Sequence, residues 1–263
     1  MTKDLKEPHL RFPEFKGEWE YKKIKSALKI KHGKNQKQIE NKDGKFPILG
    51  TGGEIGRTNT PLYTQPSVLI GRKGTINKPQ YMDKPFWTVD TLFYSIVDSN
   101  YCPKLIYYLF QTINWEKYNE STGVPSLNAT SIENIETYFP SLPEQEKIAS
   151  FLSTIDERIK LQEEKINNLE KLKKGFMQKI FSQEIRFKDD NGDDYPDWED
   201  KRLREICTNQ PSNFQIQEQY LEIGDIDCGT KKYNVDNKKK IVNGAKQTFK
   251  GSILISTVRP TRG

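Results

Sequence analysis

"PEQEKIASFLSTIDERIKLQEEKINNLEKLKKGFMQKIF" (Pro143–Phe181) holds one glycine, Gly175, and no proline after its first residue. Alternating steps of four and three give Ile148, Leu152, Ile155, Ile159, Gln162, Ile166, Leu169, Lys173, Phe176 and Ile180, and eight of these are apolar. That spacing predicts an amphipathic helix with a single apolar stripe. Glu163, Glu164, Lys165, Glu170 and Lys171 supply its solvated side. Some 35 residues of helix would be about 50 Å long, more than most single domains need. Gln162 and Lys173 either set the register of a seam or mark its margin. The stripe must be covered, by the chain's own lobe or by another helix.

The rod separates two segments of mixed strand-like character. Upstream, "FPILG", "PSVLIGRKGTI" and "WTVDTLFYSIV" are short β-type runs bounded by Gly, Pro and Asn. "PKLIYYLFQTI" (Pro103–Ile113) opens with proline and predicts a helix. "SIENIETYFPSLP" returns as a strand that proline stops before the rod. The expected fold class is therefore α+β: a first lobe over 1–142, a spacer helix over 143–182, and a further segment over 183–263.

That further segment restarts the chain. "LRFPEFKGEWEYKKI" (Leu10–Ile24) and "IRFKDDNGDDYPDWEDKRLREI" (Ile185–Ile206) share an aliphatic-Arg-Phe opening, a polar turn with glycine, a Trp flanked by acids, a basic pair and an aliphatic. "SVLIGRKGTI" (Ser67–Ile76) likewise matches "SILISTVRPTRG" (Ser252–Gly263). Self-similarity on this scale implies a duplicated unit. Counterparts of Asn77–Leu142 do not follow, so the second copy is expected to be incomplete.

Enzyme chemistry finds little support. His9 and His32 are the only histidines, and both lie in polar stretches. Cys102, Cys207 and Cys228 show neither disulfide rhythm nor metal spacing. "LGTGGEIGRT" (Leu49–Thr58) lacks the lysine of a phosphate loop and predicts glycine turns between strands. Asp90 and Asp98 sit on a strand-like run with nothing evident beside them. No metal and no cofactor are expected. The N-terminus has no apolar core and no run approaches the ~18 residues of a membrane span, which predicts a soluble cytoplasmic protein.

Basic residues are better placed. Lys+Arg total 42 against 36 Asp+Glu, a net charge of +6. Seven lysines and no acid fall between Lys22 and Lys37. Within "KIKHGKNQKQ", Lys29, Lys31, Lys34 and Lys37 could neutralise phosphates, while Asn35, Gln36 and Gln38 could read base edges. A second basic turn, "IGRKGT", offers Arg72, Lys73 and Thr75. Its repeat counterpart keeps Arg259 and Arg262. The polar loop "NESTGVPSLNATSIENI" (Asn119–Ile135) could touch a backbone through Ser121, Thr122, Ser126 and Asn128, or act as a stiff connector.

"PSLNATSIENIETYFPSLPEQEKIASFLSTIDERI" resembles the junction of recognition domain and spacer helix in the specificity subunits of type I restriction–modification systems. "LIGRKGTI", "WTVDTLFY" and the "YPDWEDKRLREI" restart resemble the same family, in the same order. The resemblance implies two target-recognition domains, each followed by a long helix, with the helices packed antiparallel as a ruler between the halves of a bipartite DNA site. It implies a subunit without catalysis of its own. Such a subunit docks methylation subunits, which use S-adenosylmethionine, and a restriction subunit, which hydrolyses ATP. Against that pattern this sequence has one complete recognition domain, one helix and the start of a second domain. A C-terminally truncated subunit, or a half-subunit that self-associates through its stripe, is expected. Two rivals are a stand-alone DNA-binding regulator dimerised by the helix, and a scaffold or carbohydrate-binding module on a helical stalk.

Overall fold

The computed structural model describes residue 8 and residues 10–207, together with the backbone of four short strands at 214–216, 226–227, 232–233 and 242–245. It divides into two compact units, 1–181 and 182–263.

The first unit is built around the run that reads most continuously apolar, β5 (Ser67–Gly71), buried at every position. Successive side chains of a strand alternate faces, so such a run needs cover on both. Val68 and Ile70 enter one core with Leu28, Ile30, Phe93, Ile106, Phe110 and Trp115. Leu69 enters another with Leu49, Phe86 and Leu92. β5 lies in an antiparallel four-stranded sheet of order β2 (Leu28–His32), β8 (Leu92–Val97), β5, β6 (Gln80–Met82). Its first face packs on α1 (Pro103–Thr112) and α2 (Ala129–Glu133). Its second meets a smaller sheet of order β4 (Gly53–Thr58), β3 (Phe46–Gly50), β7 (Trp87–Thr88), in which β3 and β7 run parallel. The lobe is α+β, as the sequence predicts.

One expectation is corrected. "WTVDTLFYSIV" is not one strand: β7 ends at Thr88 and β8 starts at Leu92, with Asp90 in the turn between them. The lysine-rich run takes in the end of β1 (Glu20–Lys23) and all of β2, which alternates buried Leu28 and Ile30 with exposed Lys29 and Lys31.

β1 pairs antiparallel with β9 (Glu136–Phe139), so the first and last strands of the lobe close on each other. This pairing brings the entering chain to the root of α3 (Leu142–Phe181), a helix of 40 residues. Glu144, in its first turn, is 1% exposed. Arg11 grips both its oxygens, Nε to Oε1 at 2.8 Å and Nη2 to Oε2 at 2.7 Å, and Trp19 Nε1 donates to Oε1 at 3.2 Å. A carboxylate there is favoured by the helix dipole and by the bidentate guanidinium. Gln145, equally buried, accepts from Cys102 N at 2.9 Å and donates to Pro140 O at 2.9 Å. Phe12 meets Phe151 edge-on at 5.9 Å, and Tyr108 donates to Asp156 at 2.7 Å.

Past Asp156 the rod leaves these contacts and continues for about 25 residues, roughly 37 Å. Ile148 and Leu152 are half-buried near the lobe. From Ile155 onward the stripe is open: Ile155, Ile159, Ile166, Leu169 and Phe176 are exposed, from 41% at Ile155 to 56% at Ile166, while Ile180 is half-buried near the helix end. Leu161, Leu172, Met177 and Phe181 widen the apolar surface. The lobe therefore covers only the start of the stripe.

In the second unit, residues 185–206 repeat the local geometry of residues 10–24. Arg11 Nη1 donates to the carbonyl of Gly17, two residues before Trp19, at 2.5 Å; Arg186 Nη2 donates to that of Pro196, two before Trp198, at 2.6 Å. Lys23 (φ −73, ψ 146) and Arg202 (φ −72, ψ 143) then lead into short helices, a 3-10 turn at Ile24–Ser26 and α4 (Leu203–Ile206). Each begins five residues after its Trp. The backbone of β10 (Phe214–Ile216) pairs antiparallel with β13 (Val242–Ala245), and β11 (Ile226–Asp227) with β12 (Lys232–Tyr233). Arg259 and Arg262, like His9 and Cys228, lie outside the described residues.

Candidate nucleic-acid interface

The sheet register assembles the site. His32 pairs with Phe93 and Gly71 with Leu92, so β2 and β5 both finish where β8 starts. The connections after β2, after β5 and before β8 consequently emerge at one end of the lobe. They share an anchor, residues 88–91. Thr88 O accepts from Lys34 N at 2.8 Å, and Thr91 O accepts from Arg72 N at 2.7 Å and Lys73 N at 3.2 Å. These carbonyls belong to residues three apart in sequence, which limits their separation to about 10 Å. The two basic segments that sequence spacing could only treat separately are thus neighbours.

Glycines permit the approach. A Cβ on Gly33 would lie 2.0 Å from the carbonyl oxygen of Val89, and one on Gly71 would lie 2.1 Å from that of Thr75. Trp87 Nε1 also donates to Lys34 O at 2.9 Å, pinning the first loop from beneath. Asn35 Oδ1 accepts from Lys37 N at 2.9 Å, and Gln36 O accepts from the amides of Ile39 and Glu40. The side-chain carbonyl of Asn35 is therefore engaged in shaping the turn, while Lys34, Lys37 and Gln38 stand exposed and Gln36 is half-buried.

The second loop is braced on two sides. Gly74 N donates to Pro125 O at 2.8 Å, and Leu127 N donates to Arg72 O at 2.9 Å. The polar loop behind them folds on itself. Asn119 Oδ1 accepts from Ser121 N and Ser126 N, Ser121 Oγ accepts from Gly123 N, and Asn128 caps α2 by accepting from Thr130 N at 2.8 Å. These bonds describe a stiff connector. Arg72 Nε donates to Asp90 O at 2.8 Å, and its Nη2 lies 3.9 Å from Asp90 Oδ2. Asp90, with no evident neighbour in the sequence, thus aims an arginine. Asp98 instead accepts from the backbone and side-chain nitrogens of Asn100. Lys73 is exposed and Thr75 half-buried.

Lys29 and Lys31 line edge strand β2 opposite Ile96 and Tyr94, leading toward the loop end. The outer edge of β2 is closed by α2, where Glu133 accepts from Ile30 N at 2.8 Å. The β3–β4 hairpin tip joins the cluster. Gln80 Nε2 reaches Gly50 O at 3.1 Å, and Val89 N donates to Leu49 O at 3.1 Å. Among the described residues, no group of three or more His, Cys, Asp or Glu could hold a metal ion, and no helix is long and apolar enough to cross a membrane.

A lobe whose loops converge at one end, seated by a buried ionic clamp on a helix that runs far beyond it, defines a head-and-rod class of α+β protein. Residues 16–171 match the model of the type I restriction modification DNA specificity domain, and the chain belongs to that family. It is 27% identical over 256 residues to the type I restriction enzyme MjaVIII specificity subunit of Methanocaldococcus jannaschii, covering 84% of this chain and 56% of that protein. It is 25% identical over 174 residues to the MjaIX specificity subunit of the same organism, covering 61% and 40%. The chain thus spans about half the length of the curated relatives it matches. Its fold is that of the type I restriction-modification S subunit from M. genitalium, with a TM-score of 0.53 at 20% identity, over 79% of this chain and 56% of that one.

Proposed function

We propose that this chain is a DNA sequence-specificity subunit, or the part of one that reads one half of a bipartite target, in a type I restriction–modification complex. The supporting observation is the convergence of the Lys34–Gln38 and Arg72–Thr75 segments on residues 88–91. In this reading residues 1–142 are the recognition domain, 143–182 the spacer, and 183–263 belong to a second recognition domain. Lys29, Lys31, Lys34, Lys37 and Lys73 neutralise phosphates. Arg72, held by Asp90, reads base edges together with Gln36 and Gln38, and Asn35 contributes through its amide nitrogen. Thr75 offers a further hydroxyl. The chain carries no catalysis; methylation and restriction subunits dock on it and supply the chemistry. The free stripe from Ile155 to Ile180 packs against a second such helix, antiparallel, and so fixes the distance between half-sites. Family membership favours this reading over a stand-alone regulator.

Duplex binding measured by fluorescence anisotropy across a salt series tests it. Lys34→Glu and Arg72→Glu should each weaken binding, and the slope of log affinity against log salt should fall by about one for every phosphate no longer neutralised. Arg72→Glu should in addition flatten the preference among sequences. Slopes and affinities unchanged in both variants would remove these loops from the interface.

A further inference from the structure

The loop end of the lobe holds open glycines and apolar surface as well as charge. Gly74, in the second basic loop, has a neighbour on each side. A Cβ there would lie 3.9 Å from Thr51 Oγ1, at the tip of the β3–β4 hairpin, and its amide donates to Pro125 O at 2.8 Å. Thr51–Ile55 and Thr122–Pro125 therefore flank Arg72–Thr75. Each flank contains a glycine that the fold does not require. Neither Gly52 nor Gly123 has a left-handed φ, and a Cβ on either would meet nothing within 4 Å. Glycine in such a place loses chain entropy on folding without relieving any contact inside the lobe. Among the described residues only Gly175, in the rod, shares that combination. Near each of the two glycines stands an exposed aliphatic side chain, Ile55 at 53% and Val124 at 64%, the two most open large apolar residues of 20–141. Ile55 lies over Gly50, where a Cβ would be 3.4 Å from its Cγ2 and 3.9 Å from a methyl of Val89 in the shared anchor.

We propose that these two tips are further contacts to duplex DNA, in which Ile55 and Val124 pack on the 5-methyl groups of thymine in the major groove. Gly52 and Gly123 let the sugar–phosphate backbone come against the chain where a side chain would hold it off. The ligand follows from the setting. Open aliphatic groups beside Arg72, Lys73 and Lys34 fit a partner that carries phosphates and apolar groups on one surface. In a duplex those apolar groups are the thymine methyls, which separate A·T from G·C where no hydrogen bond is made. The assignment rests on the DNA-reading function proposed above and adds to it residues that carry no charge.

The probe is a duplex enriched from a random pool by the full chain with methylation subunits, then resynthesised with uracil at each thymine in turn. Loss of a contacted methyl should weaken wild-type binding by about fourfold, the transfer worth of one such group. Ile55→Ser and Val124→Ser should each bind the thymine duplex more weakly and become indifferent to uracil at one position. Lys34→Glu, which removes a charge, should weaken binding to the thymine and uracil duplexes equally. Gly52→Ala and Gly123→Ala should keep the wild-type melting temperature or raise it, yet bind severalfold more weakly. An enriched duplex that binds equally well with uracil at every thymine would overturn this assignment alone. So would serine variants that keep full DNA affinity but lose the methylation subunits, which would make the tips a protein interface. Full-strength DNA binding by both alanine variants would overturn the close backbone approach. No enriched duplex at all would bring down the DNA reading and this assignment together.

Discussion

Glu144 has the strictest setting of any charged side chain among the described residues. It is buried at a helix N-terminus and bound by a residue 133 positions away in sequence. Removing one member of such a pair leaves the other uncompensated, at a cost of about 3 kcal/mol. Glu144→Ala should lose roughly that much in urea unfolding, and a double-mutant cycle with Arg11→Ala should show strong coupling. Additive losses would mean that the clamp is incidental. Tyr108 behaves differently: burial pushes its hydroxyl up to about 12 from the usual 10.0, with the hydrogen bond to Asp156 adding to the effect. The folded pKa is the higher one, so this contribution is fully present below pH 10 and is lost as pH climbs through about 12. The stability difference between the wild type and Tyr108→Phe should accordingly shrink over that window. Residue-scale pairings of this kind are not legible in the sequence. Nothing near Glu144 distinguishes it from the solvated glutamates further along the same helix, and Asp90 gains its role only when two loops meet.

At the scale of elements the sequence is more informative where a periodic signal runs long. Thirty-nine residues without an interior proline leave no alternative to the rod, and its observed limits, 142–181, fall one residue from those expected. β5 is equally clear, because an apolar run between turn residues suits a strand buried on both faces. The break between β7 and β8 is hidden because Val89, Asp90 and Thr91 supply neither glycine nor proline to mark a turn. β2 is obscured by its lysines, although Leu28-Lys29-Ile30-Lys31 alternates with the period of a half-buried strand. How far the lobe covers the stripe is not legible either, since that depends on where α1 lies against α3. The exposed portion carries its own prediction. Ile159→Glu or Ile166→Glu places a charge in the seam, and each should abolish self-association or docking seen by sedimentation while leaving the lobe's melting temperature unchanged. Association that persists in both variants would show that the stripe is not the interface.

For the whole molecule, the parts form one sequence of cause and effect. Closure of β1 on β9 delivers Arg11 and Trp19 to Glu144, and the clamp fixes the lobe to the rod. The rod in turn presents a stripe of set length. In the function proposed above, a loop cluster on a rigidly seated lobe, joined through that stripe to a second lobe, reads two short sequences at a fixed separation. The direct measurement is selection of duplexes from a random pool by the full chain together with methylation subunits, followed by sequencing. The account predicts enrichment of two short boxes separated by a gap of constant length, with the box read by the first lobe absent in Arg72→Glu. A single continuous box, a gap of variable length, or no enrichment at all would contradict it.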